Sequence, residues 1–215
     1  GSGAVSPDGL FWRVDSNESM NCGIKRDNNI HCWGNGADGN AATNQTEWTN
    51  FYEGVPNGEY FDVRVDGYGA CALKLNGETT CWGQAVPPLW PDPPADANLD
   101  RLDFIYQHAC GVTAENAMTC WGFIPVISPE GTFEKVGVGF EDNCALKTDG
   151  TAYCWGNSGS TATSALNTVP DNSETYWDLY MSTSTVCAVR LDGKIRCWGS
   201  GTAIIENIPA SYQVD

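Results

Sequence analysis

The sequence predicts an all-β chain of five small sheets, each stapled by its own disulfide, and three observations predict it. The ten cysteines fall into five pairs of one C-x9-C spacing, with none left over. A residue that tolerates positive φ stands at one fixed place inside every pair: Asn28, Gly77, Asn116, Gly150 and Gly193. Apolar residues recur at constant offsets upstream, and every pair closes on Trp-Gly, at Trp33, Trp82, Trp121, Trp155 and Trp198.

The pairing follows from hairpin geometry. In CALKLNGETTCWG, residues 71–83, a three-residue loop Leu75-Asn76-Gly77 sets Lys74 opposite Glu78, Leu73 opposite Thr79 and Ala72 opposite Thr80. Cys71 then faces Cys81 on the same side of the ribbon, close enough to bond. Such a loop needs a left-handed residue at its third position, which is where the Asn and Gly residues stand. A two-residue turn would throw the cysteines onto opposite faces. The expected bridges are Cys22–Cys32, Cys71–Cys81, Cys110–Cys120, Cys144–Cys154 and Cys187–Cys197. Zinc is the rival, but structural zinc sites use closer Cys spacings and extra ligands, and the chain has only His31 and His108 to add. No metal and no cofactor is expected.

Aligned on the first cysteine, ungapped blocks run 11–34, 60–83, 99–122, 133–156 and 176–199. An upstream apolar segment precedes the two hairpin arms, so each block reads as three strands. The connectors vary in length and carry a Val or Ile near a Pro, as at Val55-Pro56, Val86-Pro87, Ile127-Ser128-Pro129 and Val169-Pro170. A brief outer edge strand ended by proline fits there. Four strands per repeat make a propeller blade. Val5-Ser6-Pro7 and Ile208-Pro209 repeat the signature near the two ends, which implies ring closure. The expectation is therefore one five-bladed β-propeller domain over residues 1–215, with one intra-blade disulfide per blade. An open solenoid, which would need caps that are not visible, and a piece of a larger ring are the alternatives.

Composition narrows the partners. Twenty-seven acidic against eleven basic residues give a net charge of −16, so the average surface repels nucleic acid and anionic lipid. No apolar run is long enough to span a membrane, so no membrane insertion is expected. An even number of evenly spaced cysteines points to an oxidising, extracellular compartment. The acidity fits solubility in a secreted milieu; a cationic partner is the sharper reading.

The residues CALKTDGTAYCWG at 144–156 and CAVRLDGKIRCWG at 187–199 resemble the repeat of the regulator-of-chromosome-condensation family. The paired cysteines look more like its secreted branch, including the ectodomain repeats of Crinkly-type plant receptor kinases. Propeller-type β-lactamase inhibitor proteins share the broad fold group. The resemblance covers the five blocks and implies a propeller that recognises other proteins through loops on one face, without catalysis. Nuclear exchange-factor and chromatin roles do not carry over to a chain this acidic and cysteine-rich, with fewer repeats than the family commonly has.

Function is sought where the blocks disagree. Just before each first cysteine stand NESM (17–20), DGYG (66–69), IYQH (105–108), GFED (139–142) and STST (182–185), turns that project from one end of the ring. Glu18, Tyr68, Tyr106, His108, Phe140, Glu141 and Asp142 are the candidate ligand contacts there. Trp48 and Trp90, on the connectors, are the second group, suited to a protein interface or to stacking on sugars. The Trp of each Trp-Gly is expected to pack structurally, and Trp12 and Trp177 to pack between blades. For an enzyme, Asp15 and Asp103 share a repeat position, but its other occupants are Arg64, Gly137 and Tyr180, and no nucleophile elbow, phosphate loop or metal motif occurs. The reading is a secreted, monomeric, non-enzymatic recognition domain for an extracellular protein or peptide, with a lectin as the alternative. Two Asn-x-Ser/Thr triplets, at Asn17 and Asn44, are compatible with glycosylation.

Overall fold

The structure, a computed structural model, describes residues 8–17, 20–34, 55–66, 69–83, 94, 97–105, 108–122, 126–140, 142–156 and 174–199. All regular structure within them is β. The first sheet holds β1 (Phe11–Ser16), β2 (Met20–Lys25) and β3 (Ile30–Gly34), and the second β4 (Tyr60–Asp66), β5 (Gly69–Lys74) and β6 (Thr79–Gly83). β7 (Leu99–Ile105), β8 (His108–Thr113) and β9 (Met118–Gly122) form the third. The fourth holds β10 (Phe133–Val138), β11 (Asp142–Lys147) and β12 (Ala152–Gly156), and the fifth β13 (Tyr176–Ser182), β14 (Thr185–Arg190) and β15 (Ile195–Gly199). Strand order follows chain order in all five sheets, and none is closed on itself. The chain divides into two compact units, residues 1–106 and 107–215.

The hairpin register is the predicted one. Cys71 lies opposite Cys81, Ala72 opposite Thr80 and Leu73 opposite Thr79. All five expected disulfides are formed, with Cα–Cα separations of 4.0–4.1 Å, and no described cysteine is free. Each turn is built alike. The N–H of the third loop residue donates to the last residue of the preceding strand, as from Gly77 to the Lys74 carbonyl at 2.9 Å. That third residue is left-handed in every copy, at φ of 64, 81, 65, 84 and 83° for Asn28, Gly77, Asn116, Gly150 and Gly193. The residue before it tightens the loop: Asp27, Asn76, Asp149 and Asp192 each accept a backbone N–H two positions on, a local bond that Asp and Asn side chains are short enough to make.

Neighbouring sheets within a unit meet through one repeated junction. The carbonyl of the left-handed turn residue accepts the N–H that opens the next sheet's first strand. Tyr60 donates to Asn28 at 2.9 Å, Leu99 to Gly77 at 3.3 Å, Phe133 to Asn116 at 2.8 Å and Tyr176 to Gly150 at 2.8 Å. Beside these bonds the apolar faces stack. Cys22, Ile24, Tyr60, Val63 and Ala72 share one core in the first unit, and Cys144, Leu146, Tyr176, Leu179 and Ala188 share the corresponding one in the second. Polar groups join in: Asp15 accepts the Val65 N–H at 2.7 Å, and Arg64 donates to the Leu102 carbonyl at 3.0 Å. Arg13 pairs with Asp62 at 2.7 Å, and Lys135 pairs with Asp178 from the same repeat position. Burial of Asp62 raises its pKa, although Arg64 and Arg13 both pull it down.

Two expectations need amending. Trp12 and Trp177 do not pack between sheets; they are 47% and 53% exposed. The register of β1 and β13 slips at this position, between Phe11 and Arg13 and between Tyr176 and Asp178. The extra residue of such a bulge is left unpaired, and here both indole rings stand about half exposed. The second concerns the outer edge strand expected on each connector: the signatures Val86-Pro87 and Val169-Pro170 lie outside the described residues, while Val55-Pro56 and Ile127-Ser128-Pro129 are described and form no strand. The described connector residues, at 55–59, 94, 97–98, 126–132 and 174–175, are not strand. The segment 126–132 ties two sheets by side chain and carbonyl instead: Ser128 Oγ accepts the Cys120 N–H at 2.8 Å, and the Ile127 carbonyl accepts the Trp155 indole N–H at 3.0 Å. Trp82, Trp121, Trp155 and Trp198 are buried, as expected of them.

Candidate recognition surface

The turns before the first cysteines join the first and second strands of each sheet, at the end opposite the stapled hairpin loops. In the second unit, two of them lie side by side. The Phe140 N–H donates to the Thr183 carbonyl at 3.1 Å, and the Gly139 N–H closes its own turn on the Asp142 carbonyl at 2.9 Å. Gly139 has no room for a side chain: a Cβ there would fall 2.4 Å from Met181 Cε and 2.7 Å from the Thr183 carbonyl. Gly137 is confined in the same way, 2.5 Å from Met181 Cβ. These close approaches fix both turns against each other, and Phe140 stands 44% exposed on the rigid result. Ser182, Thr183 and Ser184 are exposed beside it.

His108 and Asp142 are buried, so they support this rim from beneath it. His108 Nε2 lies 2.8 Å from Asn143 Oδ1, a bond that joins the third sheet's hairpin to the fourth's. Neutral imidazole suits that bond, with Nε2–H donating, and burial lowers the His108 pKa. Nδ1 is buried without a partner among the described residues. Asn143 went unnoticed in the sequence because nothing in the repeat pattern distinguishes a buried amide from a solvated one. Glu18, Tyr68, Tyr106, Glu141, Trp48 and Trp90 lie outside the described residues. Tyr180, 60% exposed on β13, is a surface aromatic that its varied repeat position did not announce; its hydroxyl donates to Asp178 at 3.0 Å and Lys135 Nζ sits 5.6 Å from its ring centre. Asp15, one of the two carboxylates weighed for catalysis, is held as an acceptor between sheets. Among the described residues no group of His, Cys, Asp and Glu is arranged to hold a metal, and no helix is long and apolar enough to cross a membrane.

No family model matches the chain. Solved structures do share its fold. The CRINKLY WD40 ectodomain of the Arabidopsis thaliana receptor kinase ACR4 superposes with a TM-score of 0.69 at 21% identity, over 95% of this chain and 67% of that one. The entire ectodomain of the Physcomitrella patens receptor kinase CR4 gives 0.66 at 18% identity, over 89% and 50%. Yeast RCC1, in its complex with Kap60, gives 0.67 at 11% identity, over 94% and 59%. The chain thus spans about two thirds of the first and half of the second. Its class is that of propeller-type repeat proteins, and its fold is shared with the Crinkly ectodomains and with RCC1.

Proposed function

We propose that this protein is a secreted, non-enzymatic recognition domain, that its five sheets are the blades of a propeller, and that it holds another protein or peptide on the turns before its first cysteines. The observation that carries the reading is Phe140: a large apolar side chain 44% exposed on a turn whose backbone is locked to its neighbour. A preorganised aromatic of this kind costs little entropy on docking and is a common anchor of protein interfaces. The five disulfides and the receptor ectodomains of like fold support an extracellular setting. Another protein of this fold, yeast RCC1, is crystallised bound to Kap60, which supports a protein partner. Carbohydrate is the second reading, and the exposed Trp12 and Trp177 favour it, since exposed aromatic faces stack on sugar rings.

The test is affinity capture from the extracellular fraction of the source, run beside a glycan array. The expected result is one retained protein that Phe140→Ser releases, while Leu191→Ser, on a hairpin loop at the opposite end, retains it. Saturable, sugar-competed binding that Trp12→Ser or Trp177→Ser removes would replace the protein partner with a glycan.

A further inference from the structure

Two glycines of the fourth block break the repeat. Counted back from the first cysteine, the position of Gly137 carries Asp15, Arg64, Asp103 and Tyr180 in the other blocks, and that of Gly139 carries Asn17, Asp66, Ile105 and Ser182. Neither glycine has positive φ, so backbone conformation does not call for it. Space does. Met181, on β13 of the next sheet, fills what the missing side chains leave. Its Cβ lies against Gly137 and its terminal methyl against Gly139, so that a Cβ on those glycines would fall 2.5 and 2.4 Å from them. The thioether sulfur, one bond from that methyl, therefore lies beside the backbone on which the Phe140 turn stands. The position of Met181 is also an exception by type. Val65, Phe104 and Val138 occupy it in the second, third and fourth sheets, all of them buried hydrocarbon. Met181 alone among these four is only partly buried, and it alone carries an oxidisable atom. Met118, the other methionine whose side chain is described, is buried. All the residues of this contact lie within the second unit.

We propose that Met181 is a modification site, oxidised at sulfur by a peroxide, and that the sulfoxide unlocks the turn that carries Phe140. A sulfur lone pair attacks one oxygen of hydrogen peroxide and the O–O bond breaks. The bound oxygen then passes its proton to the departing hydroxide, which leaves as water. Sulfur is oxidised and the peroxide reduced, and a flexible apolar group becomes a polar one that carries an added oxygen. A slot too tight for a methyl on either glycine has no volume for that oxygen. The turn's own donors are taken, the Phe140 N–H by the Thr183 carbonyl and the Gly139 N–H by the Asp142 carbonyl. The sulfoxide must push the two turns apart or draw one of these N–H groups to itself, and either breaks the lock under Phe140. The oxidation is independent of what the rim binds; its effect on binding rests on the recognition role proposed above.

Peptide mass mapping and amide deuterium exchange, on the full chain treated with dilute hydrogen peroxide, test it. The expected result is one added oxygen on Met181 ahead of Met118. The Phe140 amide should then exchange about tenfold faster, while the Tyr60 amide, in the first unit, is unchanged. Met181→Leu, or Met181→Val should leucine not fit the slot, should keep the Phe140 amide slow before and after peroxide. In the affinity capture above, the oxidised parent chain should release its protein and oxidised Met181→Leu should retain it. Oxidation of Met118 ahead of Met181, or an oxidised Met181 beside an unchanged Phe140 amide, would overturn the proposal. Faster Phe140 exchange in a chain that captures no protein at all would support the switch and remove only the recognition role.

Discussion

Single residues set this fold's tolerances, and the glycines of the stapled loops show it. Gly77 and Gly193 share nearly the same backbone, at φ of 81 and 83°, so alanine is strained at both. Only at Gly77 would the new methyl also strike a neighbour, Asn98. Gly193→Ala should cost about 1 kcal/mol and Gly77→Ala about 2–3 kcal/mol, read as shifts in urea midpoint. Asn116→Gly should be neutral or mildly stabilising, because Asn already sits in the same left-handed well. His108 supplies a pH prediction. Its folded pKa lies below the ordinary value near 6.5, because burial disfavours the imidazolium. As pH drops through 6.5 the unfolded chain takes up a proton that the native chain refuses, so stability falls from there down to the lowered native value. Partly buried His31, lowered for the same reason, adds to the slope. Denaturant titrations at pH 7 and pH 5 should show a smaller loss in His108→Gln, which keeps an amide donor near Asn143; an unchanged loss would remove His108 as its source.

At the scale of the sheet, what matters is which residue the pleat turns inward. Trp198, on the third strand of the fifth sheet, is buried, and Trp198→Ala should cost about 3–5 kcal/mol. Trp12→Ser should change stability by less than about 1 kcal/mol, since the β1 bulge leaves that ring in solvent. Thermal midpoints of the two variants compare them directly. Replacing both Cys110 and Cys120 by Ala should cost about 2–3 kcal/mol, the loop-closure value for so short a ring. The hairpins were the most legible part of the chain, because covalent pairing, side-chain alternation and a left-handed turn position all demanded one register. The bulges were not legible. Trp12 and Trp177 look like core residues by type, and only the strand pairing reveals the slip that expels them. His108 and Asp142 were placed at the right end of the right strands, yet whether a turn residue points into solvent or under the rim depends on the neighbouring sheet, which local sequence does not encode.

For the whole molecule, the number of repeats was plain from the cysteines, while closure into a ring was not. The end-to-end likeness of Val5-Ser6-Pro7 and Ile208-Pro209 pointed to closure, and both segments lie outside the described residues. Val14 and Val63 are the same residue at the same motif position, yet Val14 is 52% exposed and Val63 is buried, a difference the repeat pattern does not encode. One further consequence follows from the sulfur bridges. Each links two strands of a single hairpin, ten positions apart, and none joins one sheet to the next. Neighbours are held by hydrogen bonds, ion pairs and apolar contact, without a covalent link. Stretched from its termini, the molecule should therefore give way one sheet at a time, and every released sheet should keep its hairpin shut. A force trace would show a train of short, similar steps that lengthen once a reductant is added, the mechanical signature of a chain knotted at regular intervals along its length.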